Sequence, residues 1–268
     1  MSLEFRPRTR FFRLVALIGV CLAVISCPQT NAQQKPVALP PALVFLATVD
    51  ATIEQDIRYA SANNFTGRPV PGYEAAECIL LKNVASALAE VQNDLVERGF
   101  SLKVYDCYRP ERAVRNFASW VRAETEDAAG RRFHPRIPKS SLTSRGFIAS
   151  TSDHSRGIAV DLTIVALPAR KSAPFDPMHD YAPCNGPKVE RAPDNSVDMG
   201  TEFDCFDANS HTGSRDVTQD QRRARPILIT AMTRRGFVSY PREWWHFSMP
   251  SNEAGGRAFD VPIPQRPR

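Results

Sequence analysis

Residues 151–165 read TSDHSRGIAVDLTIV, and this stretch decides how the rest of the chain is laid out. From Gly157 onward the side chains alternate. Ile158, Val160, Leu162 and Ile164 share one face, and Ala159, Asp161 and Thr163 share the other. That period of two predicts a strand over 157–165, because successive strand side chains point to opposite faces. Gly157 argues against a helix through the segment, so His154 falls in a turn just ahead of the strand. The turn can fold the histidine back beside the small-residue face that carries Asp161. A carboxylate among apolar neighbours needs a compensating charge or hydrogen bonds, and a metal ion would supply the charge.

Outward from this strand the pattern is mixed. Residues 80–99 place Leu81, Val84, Leu88, Val91 and Leu95 on one helical stripe that Gly99 ends. FSLKVYD (100–106) alternates again and reads as a strand. A helix follows it, with Pro110 at the first helical position. Residues 128–150 are polar and irregular, and 166–198 form a long proline-rich insertion. TQDQ (218–221) fits a capping box before a helix that ends at Gly236, and Pro226 should kink that helix or delay its start. FVSY and WWHFSM read as short final strands. Helices and strands are segregated rather than alternating as βαβ units. The expected class is therefore α+β: a single domain with a central, mainly antiparallel sheet flanked by helices.

The N-terminus carries a different signal. The net charge of the chain is +5. Arg6, Arg8, Arg10 and Arg13 against Glu4 place +3 of it in residues 1–26, ahead of the apolar run LVALIGVCLAVIS. That run is too short to span a bilayer comfortably, so 1–27 reads as an export signal. VISC, ending at Cys27, resembles a lipoprotein processing box, the alternative being cleavage near NAQ at 31–33. The expected location is the periplasm or cell envelope, with membrane attachment only through a lipidated Cys27. Residues 28–47 are rich in proline and glutamine and read as a tether, leaving 48–268 as one catalytic-size domain. The remaining charge is near neutral, without a basic helix, so nucleic acid is not an expected partner. Export implies oxidising conditions for Cys78, Cys107, Cys184 and Cys205. Of the three pairings four cysteines allow, Cys184–Cys205 with Cys78–Cys107 is preferred, against free buried thiols.

A second chemical segment is REWWHFS (242–248), where Glu243 and His246 stand among Trp244, Trp245 and Phe247. Alone, it could be a carboxylate and a core histidine, both simply hydrogen-bonded. Taken with the first segment it offers His154, Asp161 and His246 as ligands, with Glu243 left over. Three protein ligands, an open position and a free carboxylate is the pattern of a catalytic zinc site. The third segment is YDCYRPERA (105–113), where Arg109 stands as a strand gives way to a helix; an ion pair with Asp106 or Glu111 is its plain alternative.

SDHSRGIAVDL, EWWH, DCYRP, NNFTGRPVPGY (63–73) and MGTEFD (199–204) together resemble the zinc D-alanyl-D-alanine dipeptidases, over roughly residues 48–263. The resemblance implies one Zn2+ per chain, on His154, Asp161 and His246, in a cleft on the sheet. It implies Glu243 as general base and acid, and Arg109 facing the developing oxyanion. Asp204 would hold the free ammonium of a small D,D-dipeptide, assisted by Ser152, with Tyr59 lining the same site. A D,D-carboxypeptidase of the same fold, acting on peptidoglycan stem peptides, and a non-catalytic zinc-bearing binding module are the competing readings. The chain departs from the family in two places: the insertion 166–198, which could reshape the substrate mouth, and Cys107, where a small residue is usual.

Overall fold

A computed structural model describes residues 38–125, 128–250 and 256–267. The expected export signal and Cys27 lie outside these residues. In chain order the elements are β1 (Leu43–Phe45), α1 (Leu46–Val49), β2 (Glu54–Gln55), β3 (Ile79–Leu81), α2 (Lys82–Val96) and β4 (Phe100–Asp106). Then follow α3 (Glu111–Arg122), α4 (Ala128–Arg131), β5 (Ala159–Ala166), α5 (Gln219–Arg234), β6 (Val238–Ser239) and β7 (His246–Ser248). No helix among the described residues is long and apolar enough to cross a membrane.

The main sheet has the order β2-β4-β5-β7-β6, in which only the β2–β4 pair is parallel. The expected α+β fold with a mainly antiparallel sheet is what forms. Residues facing each other across paired strands share a side of the sheet. Leu102 and Val104 lie opposite Ile164 and Leu162, and Val160 lies opposite Phe247. This apolar face joins one core with Val84, Leu88, Val91 and Leu95 of α2, each fully buried. Each such side chain contributes roughly 1.5–3 kcal/mol of burial.

The opposite face is covered as well, so β4 and β5 are buried on both sides rather than half exposed. Lys103, on that face, is buried against Asp56 (3.2 Å), Asp194 (3.4 Å) and Glu54 (3.5 Å). Asp194 comes from the insertion and also accepts hydrogen bonds from Arg58 (2.5 Å) and the Tyr105 hydroxyl (2.7 Å). Phe203 stacks on Tyr105, with centroids 4.9 Å apart. The insertion thus packs against the sheet, and none of residues 166–198 lines the large cleft described below.

Four local expectations are corrected. The ordered fold reaches into the stretch expected as tether, 28–47: β1 pairs with β3, and Leu43 and Leu46 are buried, so apolar side chains outweigh the flanking prolines. The 80–99 stretch is divided, its first residues forming β3 and only Lys82–Val96 the helix. Pro110 is the N-cap of α3, one position earlier than expected. Helix α5 starts at Gln219 behind the Thr218–Gln221 capping box and runs on through Pro226, so its start is not delayed. Both preferred disulfides, Cys78–Cys107 and Cys184–Cys205, are formed.

The buried ion cluster sets an acid limit on stability. Burial pushes the Asp194 carboxyl up, but Arg58 and Lys103 outweigh this and hold it well below the usual carboxylate range. A carboxyl depressed in the fold stabilises above its unfolded pKa of about 3.9, and that stabilisation is lost as pH falls below it. Asp194→Ala should cost about 3–5 kcal/mol at pH 7, because Arg58 and Lys103 stay buried with a partner removed. Asp194→Asn should flatten the acid limb of stability. Urea unfolding across pH 2–7 measures both.

Candidate metal centre and active-site cleft

One row across the sheet organises the site. Asp161 on β5 lies opposite His246 on β7, and on its other side opposite Asp106 of β4. The β4–β5 register shifts between Val104 and Asp106. Without that bulge Asp106 would fall on the face opposite Asp161, since a one-residue slip exchanges the faces of a strand.

His154 joins the row from a 3-10 turn, Asp153–Arg156, that Ser152 caps with its hydroxyl accepting from the His154 N–H (3.3 Å). Gly157 ends the turn at φ 71°, and a Cβ there would come within 2.8 Å of Leu43. The His154 Nδ1–H donates to the carbonyl of Cys107 at 2.7 Å, which leaves Nε2 as a lone pair. That nitrogen lies 3.3 Å from Asp161 Oδ1 and 3.2 Å from His246 Nδ1, and His246 Nδ1 lies 2.9 Å from the same oxygen. One candidate ligand atom from each residue falls within 4.8 Å of the other two.

This donor set fits a metal ion. A carbonyl fixes the tautomer of His154 from behind, the usual outer support of a metal-binding imidazole. Two imidazoles and one carboxylate from three separate segments then converge on one point, the number that a catalytic zinc site draws from protein. Burial pushes the Asp161 carboxyl up, but His154 and His246 hold it well below the usual range.

The remaining candidates line one cleft of about 410 Å³ with these ligands: Tyr59, Arg109, Ser152, Asp204 and Glu243. Glu243 sits in the turn before β7, between Trp244, whose indole N–H donates to Thr201 (2.8 Å), and Tyr240, whose carbonyl accepts its N–H (3.3 Å). Trp244 and Trp245 are both buried, so the two indoles anchor the segment that presents Glu243 and His246. Burial and the charge of Asp161 push the Glu243 carboxyl up to about 8, within the range suited to proton transfer near neutral pH.

Arg109 is pinned. Its guanidinium meets Asp106 at 2.7 Å and Asp161 at 3.4 Å, and lies over the Tyr59 ring (5.2 Å). The plain alternative, a pair with Asp106, therefore holds together with a place in the cleft. In the same cleft Asp204 accepts a hydrogen bond from the Tyr59 hydroxyl at 2.7 Å, and burial together with Asp161 pushes its carboxyl well up. Sequence reasoning missed the depth of this support. Asp106 is completely buried and also accepts from the Tyr73 hydroxyl at 2.6 Å. Both residues stand in the quoted DCYRP and VPGY segments, whereas the Cys107 carbonyl has no side-chain signal.

The chain matches the family described as D-ala-D-ala dipeptidase over residues 41–195 and 188–264. It belongs to that family. The D-alanyl-D-alanine dipeptidase of Streptomyces coelicolor is 32% identical over 82% of this chain and 96% of its own length. That of Enterococcus faecium is 29% identical over the same shares. That of Escherichia coli is 30% identical over 78% of this chain and 84% of its own. The family is one of metallopeptidases, so a metal cofactor is implied, and the His154–Asp161–His246 group is where the described residues offer one a place.

Loss of an outer-shell partner alone commonly lowers metal affinity about 10–100-fold, and loss of a ligand should cost more. His154→Ala or Asp161→Ala should accordingly come off a chelating column with far less than one metal per chain. Elemental analysis of folded protein checks this, and full occupancy in either variant would place the ion elsewhere.

Proposed function

We propose that the chain is an exported zinc dipeptidase that hydrolyses D-alanyl-D-alanine. The observation that carries this reading is the cleft: a three-ligand cluster with a raised-pKa carboxylate on one side and a buried aspartate at the other end. His154, Asp161 and His246 would hold the ion, and two imidazoles with one carboxylate suit zinc. When bound, zinc supplies Lewis acidity, polarising a carbonyl and acidifying water toward a pKa of about 7.

The protein side chains carry the proton and the charge. Glu243 takes a proton from the attacking water as the oxygen adds to the scissile carbonyl carbon, then delivers it to the nitrogen of the leaving amine. Arg109, held by Asp106, aims N–H groups at the carbonyl oxygen as negative charge develops there. Asp204 pairs with the free ammonium one residue upstream, and the Tyr59 hydroxyl orients that carboxylate. Ser152 lines the same cleft while capping the His154 turn. A longer peptide would bring an amide to Asp204 in place of an ammonium, leaving a buried acceptor short of a charged partner. Such a mismatch costs about 1–3 kcal/mol, which favours dipeptides over the stem peptides of a carboxypeptidase.

The export signal and the two disulfides support an oxidising compartment. An enzyme placed there would meet dipeptides released by wall turnover, which supports a role in recycling them.

Glu243→Gln should retain zinc and lose about 10²–10⁴-fold in kcat, the usual worth of a general acid–base group. Turnover near the native level would remove Glu243 from the mechanism. In a second assay, N-acetyl-D-Ala-D-Ala should be cut far more slowly than the free dipeptide. Equal rates would contradict the ammonium role of Asp204, and preferential cleavage of a stem pentapeptide would favour the carboxypeptidase reading.

A further inference from the structure

Asp204 is the one described residue other than glycine with a positive φ, 61°. A side chain held in the left-handed region persists only when its surroundings over-determine it. The insertion braces the residues on either side of Asp204. Cys205, the next residue, is disulfide-bonded to Cys184. Glu202, two residues earlier, donates its N–H to the Cys184 carbonyl at 2.8 Å. The Glu202 carboxylate accepts from the Ala192 N–H at 3.1 Å and from Arg132 at 2.8 Å. Asp204 is thus gripped on both sides by residues 184–192, although nothing from the insertion enters the cleft.

We propose that the insertion controls substrate binding from behind, with Cys184, Cys205 and Glu202 as positioning residues for Asp204. The inference rests on the ammonium-binding role given to Asp204 above. The carboxylate must meet both the Tyr59 hydroxyl and a substrate ammonium, and a tilt of its backbone moves it relative to both. A misplacement of about 1 Å can cost up to about 100-fold. The disulfide and the Glu202 contacts remove that freedom. Cys78–Cys107, by contrast, stands beside the Cys107 carbonyl that accepts from His154.

The test uses zinc-loaded full-length enzyme with metal counted per chain, and D-Ala-D-Ala as the probe. The C184A/C205A double variant should raise KM about tenfold, and Glu202→Gln about threefold, with kcat within about twofold of native and metal content unchanged. A general structural staple would instead lower the melting temperature and leave KM where it is, and that result overturns the proposal. If the double variant does not fold at assay temperature, Glu202→Gln, which keeps both cysteines, decides: an unchanged KM overturns the proposal and a raised one supports it. Asp204→Asn is run alongside. A native KM there would remove the role of Asp204 itself, whereas a raised KM there with native KM in the other two variants would sink only the positioning role.

Discussion

Two carboxylates, Asp106 and Asp161, face each other across β4 and β5 with hardly any exposure to solvent. Like charges placed directly opposite on a sheet repel, and burial removes the water that would screen them. The rest of the site exists around this pair. Arg109 lies against both carboxylates, the Tyr73 hydroxyl donates to Asp106, and His154 and His246 converge on Asp161. Burial pushes the Asp106 carboxyl up, whereas the two histidines hold Asp161 low in spite of its burial. Two imidazoles thus meet at Asp161, and Asp106 anchors Arg109.

That arrangement requires a rigid frame, because each contact depends on register. The bulge at the end of β4, the glycine stop after His154 and the two buried tryptophans before His246 each fix one strand or turn relative to Asp161. The apolar face packed on α2 holds the strands in place, and the ion cluster around Lys103 and Asp194 closes the other face. Function here is confined to one end of three strands, while stability comes from both faces along their length.

Much of this was legible in the residues because it is local. Alternation through Ile158–Ile164 gave β5, the Thr218–Gln221 box gave the start of α5, and His154, Asp161, Glu243 and His246 stood out as polar groups in apolar segments. What stayed hidden is long-range. Lys103 reads as the exposed position of an alternating strand, and the partners of its buried ammonium include Asp194, 91 residues later. The bulge that turns Asp106 toward Asp161 has no glycine or proline to announce it. The length of the insertion, as a departure from the family, allows it to reshape the substrate mouth. Its disulfide and its carboxylates instead commit it to the back of Asp204 and to the covered face of the sheet.

The electrostatics of the cleft also explain why substrate and cofactor would be selected together. Among the described residues the buried carboxyls of Asp106, Asp161, Asp204 and Glu243 all feel one guanidinium, that of Arg109. Asp161 contributes to raising both Glu243 and Asp204, so the acidity of the two outer carboxylates is tied to the charge at the centre. On the proposed function, a divalent cation held by Asp161 would relieve that repulsion and leave Glu243 free to act as a base, while an ammonium would balance Asp204. Neutralising an uncompensated buried carboxylate is worth more than forming the same contact in water. On the proposed function, a positive charge brought to Asp204 would therefore be favoured over an uncharged peptide bond in that place.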